Sequence, residues 1–347
     1  MAEVLRFLVL GGTRFIGAAV VRRLVAGGHQ VTVFNRGKSG EARATGADRI
    51  CGDVAELAAY RNQFAKVAAD VVIHMIAYTE AQARGFAETF EGIAGRAVVI
   101  SSMDVYRVYD RLRRLDDSQQ DSGALDEGAE LRRRLFPYRA KAKDSTELLY
   151  NYEKILVERE VMSRPGLAAT VLRLPAVYGP GDYQHRLFPY IKRMADGRDA
   201  ILLGEKQSRW RWTRGYVENV ADAIALTATN PKSIGKIYNV GEPDALSEEQ
   251  WVKNIARMMN WKGRIATVPD QNLPEHLRED FDWDCHWLAD TARIRRELGY
   301  EEKISFQEGL SQAVEWEKNH PPANVDPNQF NYAAEDVVLN EQSRNRS

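Results

Sequence analysis

The chain has 347 residues, too long for one ordinary small domain, so a large domain with a smaller partner is expected. Lys and Arg number 48 against 49 Asp and Glu, a net charge of −1 that offers no general attraction to nucleic acid or to a membrane surface. No apolar run approaches a membrane span, no leader is evident, and two cysteines, Cys51 and Cys285, make neither a disulfide framework nor a zinc cluster; a cytoplasmic chain with reduced thiols and no metal is the expectation.

In chain order the first element is an apolar run, Val4 to Leu10, with the character of a buried parallel strand. It leads through Gly11 and Gly12 into a helix beginning at Phe15-Ile16-Gly17 and marked by Ala18, Val21, Leu24 and Val25 at three- and four-residue spacing. A strand, a glycine turn and a helix N-terminus together make an anion site, because unpaired N–H groups and the helix dipole both favour a phosphate. Arg14 stands where the middle glycine of the usual dinucleotide fingerprint would be, so this turn alone could equally be a packing device.

Further strands are predicted at Gln30–Phe34, Arg49–Cys51, Asp70–Ile76, Arg96–Ser101 and Ala169–Leu174. Helical lengths lie between them, as from Val54 to Ala69. This alternation predicts an α/β doubly wound parallel sheet, with helices on both faces. Residues 107–144 are charged and poorly periodic and read as an insertion. A long helix is expected from about Ser145 to Met162. The dinucleotide-binding domain is placed at 1–174 plus 215–243, and a smaller mixed α/β substrate lobe at 175–214 plus 244–316. A surface-draped or mobile tail is placed at 317–347.

The end of the second strand discriminates between cofactors. An acidic residue there would bind the 2′-hydroxyl of NAD. This chain has Asn35-Arg36 instead, with Arg14 nearby, a pair suited to the 2′-phosphate of NADP; NADP is therefore preferred and NAD remains open. Chemistry is sought at Ser101-Ser102, on the carboxyl end of the fifth strand, and at Tyr150 and Lys154, which share one face of a helix at i,i+4. An ammonium near a phenol lowers its pKa towards neutrality and lets it exchange a proton during hydride transfer. Tyr152 has the wrong spacing to Lys154 for that role. Tyr and Lys at i,i+4 also occur by chance on many helices.

Taken in order, Gly11-Gly-Thr-Arg-Phe-Ile-Gly17, Gly52-Asp53-Val54, Ile73-His-Met-Ile-Ala77, Ser101-Ser102-x-x-Val-Tyr106, Tyr150-x-x-x-Lys154-x-x-Val-Glu158, Leu172-Arg-x-x-x-x-Tyr-Gly-Pro180 and Arg214-x-Tyr-Val-x-x-Val-Ala-Asp222 resemble the extended short-chain dehydrogenase/reductases, the family of nucleotide-sugar epimerases and dehydratases. Tyr238-Asn-Val-Gly241 and Ala289-Asp-Thr-x-x-x-x-x-Glu-Leu-Gly299 extend the likeness to about residues 4–315. The resemblance implies a cofactor site at Gly11, Gly12, Thr13, Arg14, Phe15, Ile16, Gly17, Asn35, Arg36, Asp53, Val54, Ile76, Ala77, Ser101 and Pro175. It implies catalysis by Ser102, Tyr150 and Lys154, substrate contact at Asp104, Tyr178, His185 and Arg214, and a homodimer through the Tyr150 helix. The implied activity is that of an NAD(P)-dependent epimerase or oxidoreductase on a sugar-nucleotide-like or other polyhydroxylated small molecule. Two departures stand out. Met103-Asp104 replaces the Asp-Glu pair of the dehydratases, disfavouring dehydration, and Ala176 replaces an asparagine that holds the nucleotide-sugar.

The glycine turn with Phe34-Asn-Arg-Gly37 also resembles an atypical branch containing chloroplast stem-loop RNA-binding proteins. The alternative function is thus RNA binding or nucleotide sensing without turnover. Arg209-Trp-Arg-Trp-Thr-Arg214 interleaves aromatics with cations as RNA stacking would want, although tryptophans packed between lobes explain it more simply, and the neutral charge disfavours nucleic acid. Cys285-His286 lacks metal-spaced partners, His74 sits in a core strand, and Arg132-Arg133-Arg134 reads as a solvated face.

Overall fold

The computed structural model describes residues 3–37, 46–117 and 123–344. The first half runs β1 (Arg6–Leu10), α1 (Phe15–Ala26), β2 (Gln30–Asn35), β3 (Asp48–Cys51), α2 (Arg61–Val67), β4 (Val71–His74), α3 (Glu80–Phe90) and β5 (Arg96–Ser102). Then come α4 (Arg107–Leu112), α5 (Leu148–Asn151), α6 (Lys154–Met162), β6 (Ala169–Leu174), β7 (Ala176–Tyr178), α7 (Phe188–Ala195), β8 (Ala200–Gly204), α8 (Glu205–Arg209), β9 (Arg214–Tyr216) and α9 (Val217–Thr229). The chain finishes with β10 (Ile237–Asn239), α10 (Glu248–Met258), β11 (Arg264–Val268), α11 (Ala292–Leu298), α12 (Phe306–Asn319) and α13 (Tyr332–Arg344).

Seven strands form one parallel sheet in the order β10-β6-β5-β4-β1-β2-β3. Strand alternation sends Phe7 and Val9 to the face packed by α1 and α9, and Leu8 and Leu10 to the face packed by α2, α3 and α6. The sequence order reverses between β1 and β4, and the crevice beyond their carboxyl ends is where such a sheet binds ligands. The smaller lobe is built on two parallel pairs, β7 with β9 and β8 with β11, and on α7, α8 and α10.

Three expectations change. The segment from Val54 begins as a 3₁₀ turn to Tyr60 before α2. The expected helix from 145 to 162 is broken: α5 ends at Asn151 and α6 starts at Lys154, because Tyr152 and Glu153 are extended (φ/ψ −63/120 and −160/99). The stretch beyond 316 is not a loose tail, since α13 packs on the second lobe, with Glu335 fully buried and Gln342 donating to the Thr267 carbonyl at 2.7 Å.

Candidate functional site

The glycine turn follows from steric necessity. Gly11 has φ +90°, and a Cβ there would crowd Ile76, while a Cβ on Gly17 would run into the Gly11 carbonyl. Gly12 is wedged in the same way against Val21 and Val9. The helix that follows has no side-chain N-cap and no acid in its first turn, so its terminal N–H groups remain available to an anion. A cleft of about 490 Å³ opens here, walled by Gly11, Thr13, Arg14, Asn35, Arg36 and Asp53. Val54 and Ile76 join them, together with Tyr78, Gln82, Leu148 and Tyr183, which the sequence motifs did not mark.

Arg14 and Arg36 are exposed and form no ion pair among the described residues. The Asn35 Oδ1 accepts from Gly37 N at 2.7 Å and from Arg49 at 3.0 and 3.2 Å, which leaves its buried Nδ2 without a partner. Asp53 caps the following turn through Ala55 N at 3.0 Å. Phe15, with φ 45°, meets Tyr183 edge to face, and Ile16 packs partly into the core. These features fit a dinucleotide: uncapped helix N–H groups for its pyrophosphate, a shaped glycine turn and an orphaned amide donor at the ribose end.

At the carboxyl end of β5 the polar side chains converge. Ser102 caps the turn that follows through Asp104 N at 3.2 Å. Asp104 is buried, and its Oδ2 accepts the Tyr138 and Tyr152 hydroxyls at 2.9 Å each, while Oδ1 has no partner. Ser102 lies close enough to the Tyr152 hydroxyl to oppose its upward shift. Burial, followed by the neighbouring Asp104 charge, holds Tyr152 and Tyr138 well above the usual phenol range, and burial raises Asp104 in spite of the nearby Arg132. Lys154 lies beneath this group, with Nζ 4.8 Å from the Tyr78 ring centre and 5.9 Å from that of Tyr152. It donates to the carbonyls of Ala77 at 2.6 Å and Ile100 at 2.8 Å, and burial brings it down to about 8.

Tyr150 is elsewhere. The break between α5 and α6 cancels the i,i+4 alignment, and its ring lies 4.6 Å from the Arg139 guanidinium, which also donates to the Tyr150 carbonyl at 3.0 Å. The tyrosine that the spacing argument rejected, Tyr152, takes the position beside Ser102. Glu153 makes the break. Its side chain is fully buried, accepts from Arg132 at 2.9 Å and from Phe136 N at 2.6 Å, and caps α6 through Ile155 N at 2.9 Å. Arg132, read as solvated, is thus a core residue, and it donates to the Asp104 carbonyl as well.

The remaining expected site residues divide. Ala77 lines the floor through the carbonyl that Lys154 holds, and Pro175 packs against Gly215 and Gly241. Ser101, expected at the cofactor, bonds Glu158 at 2.6 Å in a buried cluster with Arg173. His185, expected near substrate, pairs with Glu317 of α12 at 2.6 Å and stacks on Trp316. Tyr178 and Arg214 line a second cavity of about 470 Å³ in the smaller lobe. There the Tyr178 hydroxyl bonds Glu242 at 2.8 Å, with the Glu242 carboxyl pushed by burial up to about 7, and Arg214 is paired with Glu248 at 2.5 Å.

His74 is buried in β4 and held by burial at about 3, in keeping with a structural place. Cys285 is buried among tryptophans, and no group of side chains among the described residues could hold a metal. Trp210 and Trp212 are packed with Trp283 and Trp287, so the interleaved stretch is engaged in packing within the smaller lobe. Among the described residues no helix is long and apolar enough to cross a membrane.

Comparison with known proteins agrees with this architecture. A dTDP-glucose 4,6-dehydratase of Streptomyces niveus is 27% identical, covering 91% of this chain and 94% of its own. A 2-alkyl-3-oxoalkanoate reductase of Stenotrophomonas maltophilia is 27% identical over 88% and 97%. The chloroplast stem-loop binding protein of 41 kDa b of Arabidopsis thaliana is 23% identical over 88% and 77%. Among solved structures, the dTDP-glucose 4,6-dehydratase of Bacillus anthracis in complex with NAD superposes with a TM-score of 0.67 at 18% identity, covering 91% of this chain and 97% of that one. The family model for NAD dependent epimerases/dehydratases matches residues 7–110 and 134–241, and the chain belongs to that family.

Proposed function

We propose that the chain is an NAD(P)-dependent oxidoreductase or epimerase that exchanges a hydride with the carbinol or carbonyl carbon of a small molecule, and that Tyr152, rather than Tyr150, exchanges the proton. The observation that carries this reading is the convergence of Ser102, Tyr152 and Asp104 above Lys154, next to Tyr78, which lines the glycine-turn cleft and stacks on Tyr152. Gly11, Gly12, Thr13 and the first turn of α1 would hold the dinucleotide phosphates, Asn35 and Asp53 its adenosine end, and Ile76 with Ala77 the floor. The bound nicotinamide supplies hydride transfer.

In the reducing direction, hydride adds to the carbonyl carbon while the Tyr152 hydroxyl gives its proton to the carbonyl oxygen, which Ser102 steadies by a hydrogen bond. Oxidation reverses both transfers, and an epimerase would run both in succession on opposite faces. In the resting site Asp104 accepts from the Tyr152 hydroxyl and orients it, and substrate binding turns that single proton from Asp104 to the carbonyl oxygen. Dehydration is the less supported reaction, because Met103 is buried in an aromatic cluster where an acid would be needed. The substrate is a sugar-nucleotide-like or other polyhydroxylated or carbonyl compound; the likeness to a 2-alkyl-3-oxoalkanoate reductase supports a substrate outside the nucleotide-sugars. Arg14 and Arg36, exposed at the cleft, support NADP as the preferred cofactor, although the structural relative holds NAD.

The test is to identify the nucleotide that copurifies and to compare Tyr152→Phe with Tyr150→Phe. The first should lower kcat by roughly 10²–10⁴-fold with cofactor affinity retained, and the second should leave kcat within about threefold, half an order of magnitude on that scale. The reverse pattern would restore Tyr150 to the role, and failure to bind any nicotinamide nucleotide would end the reading. Tightly retained cofactor favours an epimerase and exchangeable cofactor a reductase.

A second reading, nucleotide sensing without turnover, is favoured by one observation: the Lys154 ammonium is engaged by two backbone carbonyls. Cofactor binding without turnover on any carbonyl or alcohol would support it. A homodimer through the α5–α6 region is proposed with it, on the exposed Leu148 and Leu149 of α5, and sedimentation of the L148K/L149K variant tests that.

A further inference from the structure

The cavity of the smaller lobe has a chemistry of its own. Its wall is aromatic: Trp210, Trp212, Trp251, Phe281, Trp283 and Phe330 all face it. Its three arginines are already neutralised within the chain. Arg214 pairs with Glu248 at 2.5 Å, Arg193 with Glu335 at 2.7 Å, and Arg186 with Asp182 at 2.7 Å. The first two pairs are buried and have little hydrogen-bonding capacity left over. Glu248 also accepts the Tyr190 hydroxyl at 2.6 Å, and Arg193 also donates to the carbonyls of Pro189 and Gln329, each at 2.9 Å. Arg214 is further sandwiched against Trp251, 4.4 Å from its ring centre, and Trp212 at 5.6 Å. The Trp212 indole N–H is buried with no acceptor among the described residues and does not reach the cavity surface.

A diphosphate entering this space would meet Glu248 as well as the arginines. It would have to displace a buried carboxylate from its partner, which strands that charge in a low-dielectric site. A flat neutral molecule meets no such obstacle. It buries apolar surface against the indoles and leaves the Arg214–Glu248 pair intact. The cavity also communicates with the proton-exchanging site through packed rings. Trp212 stacks on Trp287, which leans on Tyr109 at 5.1 Å, and Tyr109 meets Tyr138, the residue bonded to Asp104.

We propose that the smaller-lobe cavity takes an uncharged aromatic or alicyclic carbonyl or alcohol and is closed to nucleoside diphosphates by the internal carboxylate Glu248. This narrows the substrate class of the reading above and rests on it. Glu335 of α13 lies behind the wall and holds Arg193, so the C-terminal segment supports the cavity without lining it.

The experiment is calorimetric titration of the full-length, NADPH-saturated chain with two probes, 1-indanone and UDP. Saturable binding of 1-indanone, weakened roughly 3–10-fold by Trp212→Leu as expected for one lost aromatic contact, with UDP at least tenfold weaker than 1-indanone, supports the proposal. The variant Glu248→Gln, which frees Arg214 while Tyr190 still bonds the amide, should gain UDP affinity by tenfold or more. Micromolar UDP binding by the wild type, abolished in Arg214→Ala, would overturn the proposal, as would absence of any saturable heat with 1-indanone. NADPH binding is measured first on the same sample. Its loss would sink the oxidoreductase reading, whereas intact NADPH binding with tight UDP binding would sink the substrate class alone.

Discussion

Removing the Glu153 carboxylate should be among the most destabilising single changes in this chain. Glu153 and Arg132 form a buried ion pair with both side chains at 0% exposure. Glu153→Ala would leave the Arg132 guanidinium hydrogen-bonded only to the Asp104 and Arg134 carbonyls, with the Asp104 and Asp110 carboxyls, both shifted by burial towards their neutral forms, as its remaining counter-charges. Breaking a buried pair by removing one partner costs about 3–5 kcal/mol. The loss of the α6 N-cap at Ile155 contributes about 1 kcal/mol more, and the Phe136 N–H loses its acceptor. A total of about 4–6 kcal/mol is a large part of the 5–15 kcal/mol by which folded chains are ordinarily stable. Urea unfolding followed by tryptophan fluorescence reads the change as a shift in midpoint at unchanged slope. Arg132→Met should cost a similar amount, and the Arg132→Met/Glu153→Met double variant should cost much less than the sum, because no charge is then stranded. A coupling of about 2 kcal/mol or more is expected for groups in direct contact. Additive effects, or single variants within about 1 kcal/mol of wild type, the ordinary scale of a mutation without a special mechanism, would refute the idea that this pair pins the insertion to the helix break.

Other consequences follow from the same geometry. Lys154 is held at about 8 against an ordinary 10.5, so between these values the unfolded chain binds a proton that the folded chain has released, and stability from this group rises with pH across that window. Lys154→Met should abolish the rise, a difference of up to about 3 kcal/mol in urea titrations at pH 7.5 and 10.5; parallel wild-type and variant curves would contradict it. Arg36→Ala should cost about 1.5–3 kcal/mol in NADP binding and little in NAD binding, measured by nucleotide titration, and equal NADP affinity would remove Arg36 from the site. Gly17→Ala places a methyl against the Gly11 carbonyl and should lower cofactor affinity more than tenfold with the chain still folded by circular dichroism; unchanged affinity would show that the turn is not the phosphate cradle.

The sheet was legible because β1, β4, β5 and β6 are continuous apolar runs, and burial on both faces leaves such strands no other pattern. The glycine turn was legible because its residues answer to local sterics. The proton-exchanging group was not, since local periodicity continues unbroken through Tyr150 and Lys154 and the break is imposed from a distance. Arg132 lies 21 residues before Glu153 and reads as one of three surface arginines until the fold buries it. Ser101 and His185 failed as site residues for the same reason: Glu158 and Glu317 claim their side chains, and neither pairing has a local signature. The C-terminal helix escaped notice because its hold on the body depends on the single buried Glu335 and a few apolar contacts rather than an apolar stripe.

The protonation state of the site argues for a direction of reaction. Two phenols share one carboxylate oxygen of Asp104, which is buried while both tyrosines are half-buried, and each group is shifted towards its protonated form. A base that must take a proton from an alcohol needs the phenolate, and burial beside Asp104 opposes that form. An acid that must give a proton to a carbonyl oxygen needs the phenol, which this environment keeps populated. Lys154 would favour the phenolate, but its charge is partly spent on the Ala77 and Ile100 carbonyls and is itself weakened by burial. On the proposed reading, in which Tyr152 exchanges the proton, these residues favour carbonyl reduction over alcohol oxidation at neutral pH. Oxidation should accelerate as pH rises toward the Tyr152 ionisation while reduction falls away, and a pH profile of both directions that moved in parallel would be incompatible with Tyr152 as the group that exchanges the proton.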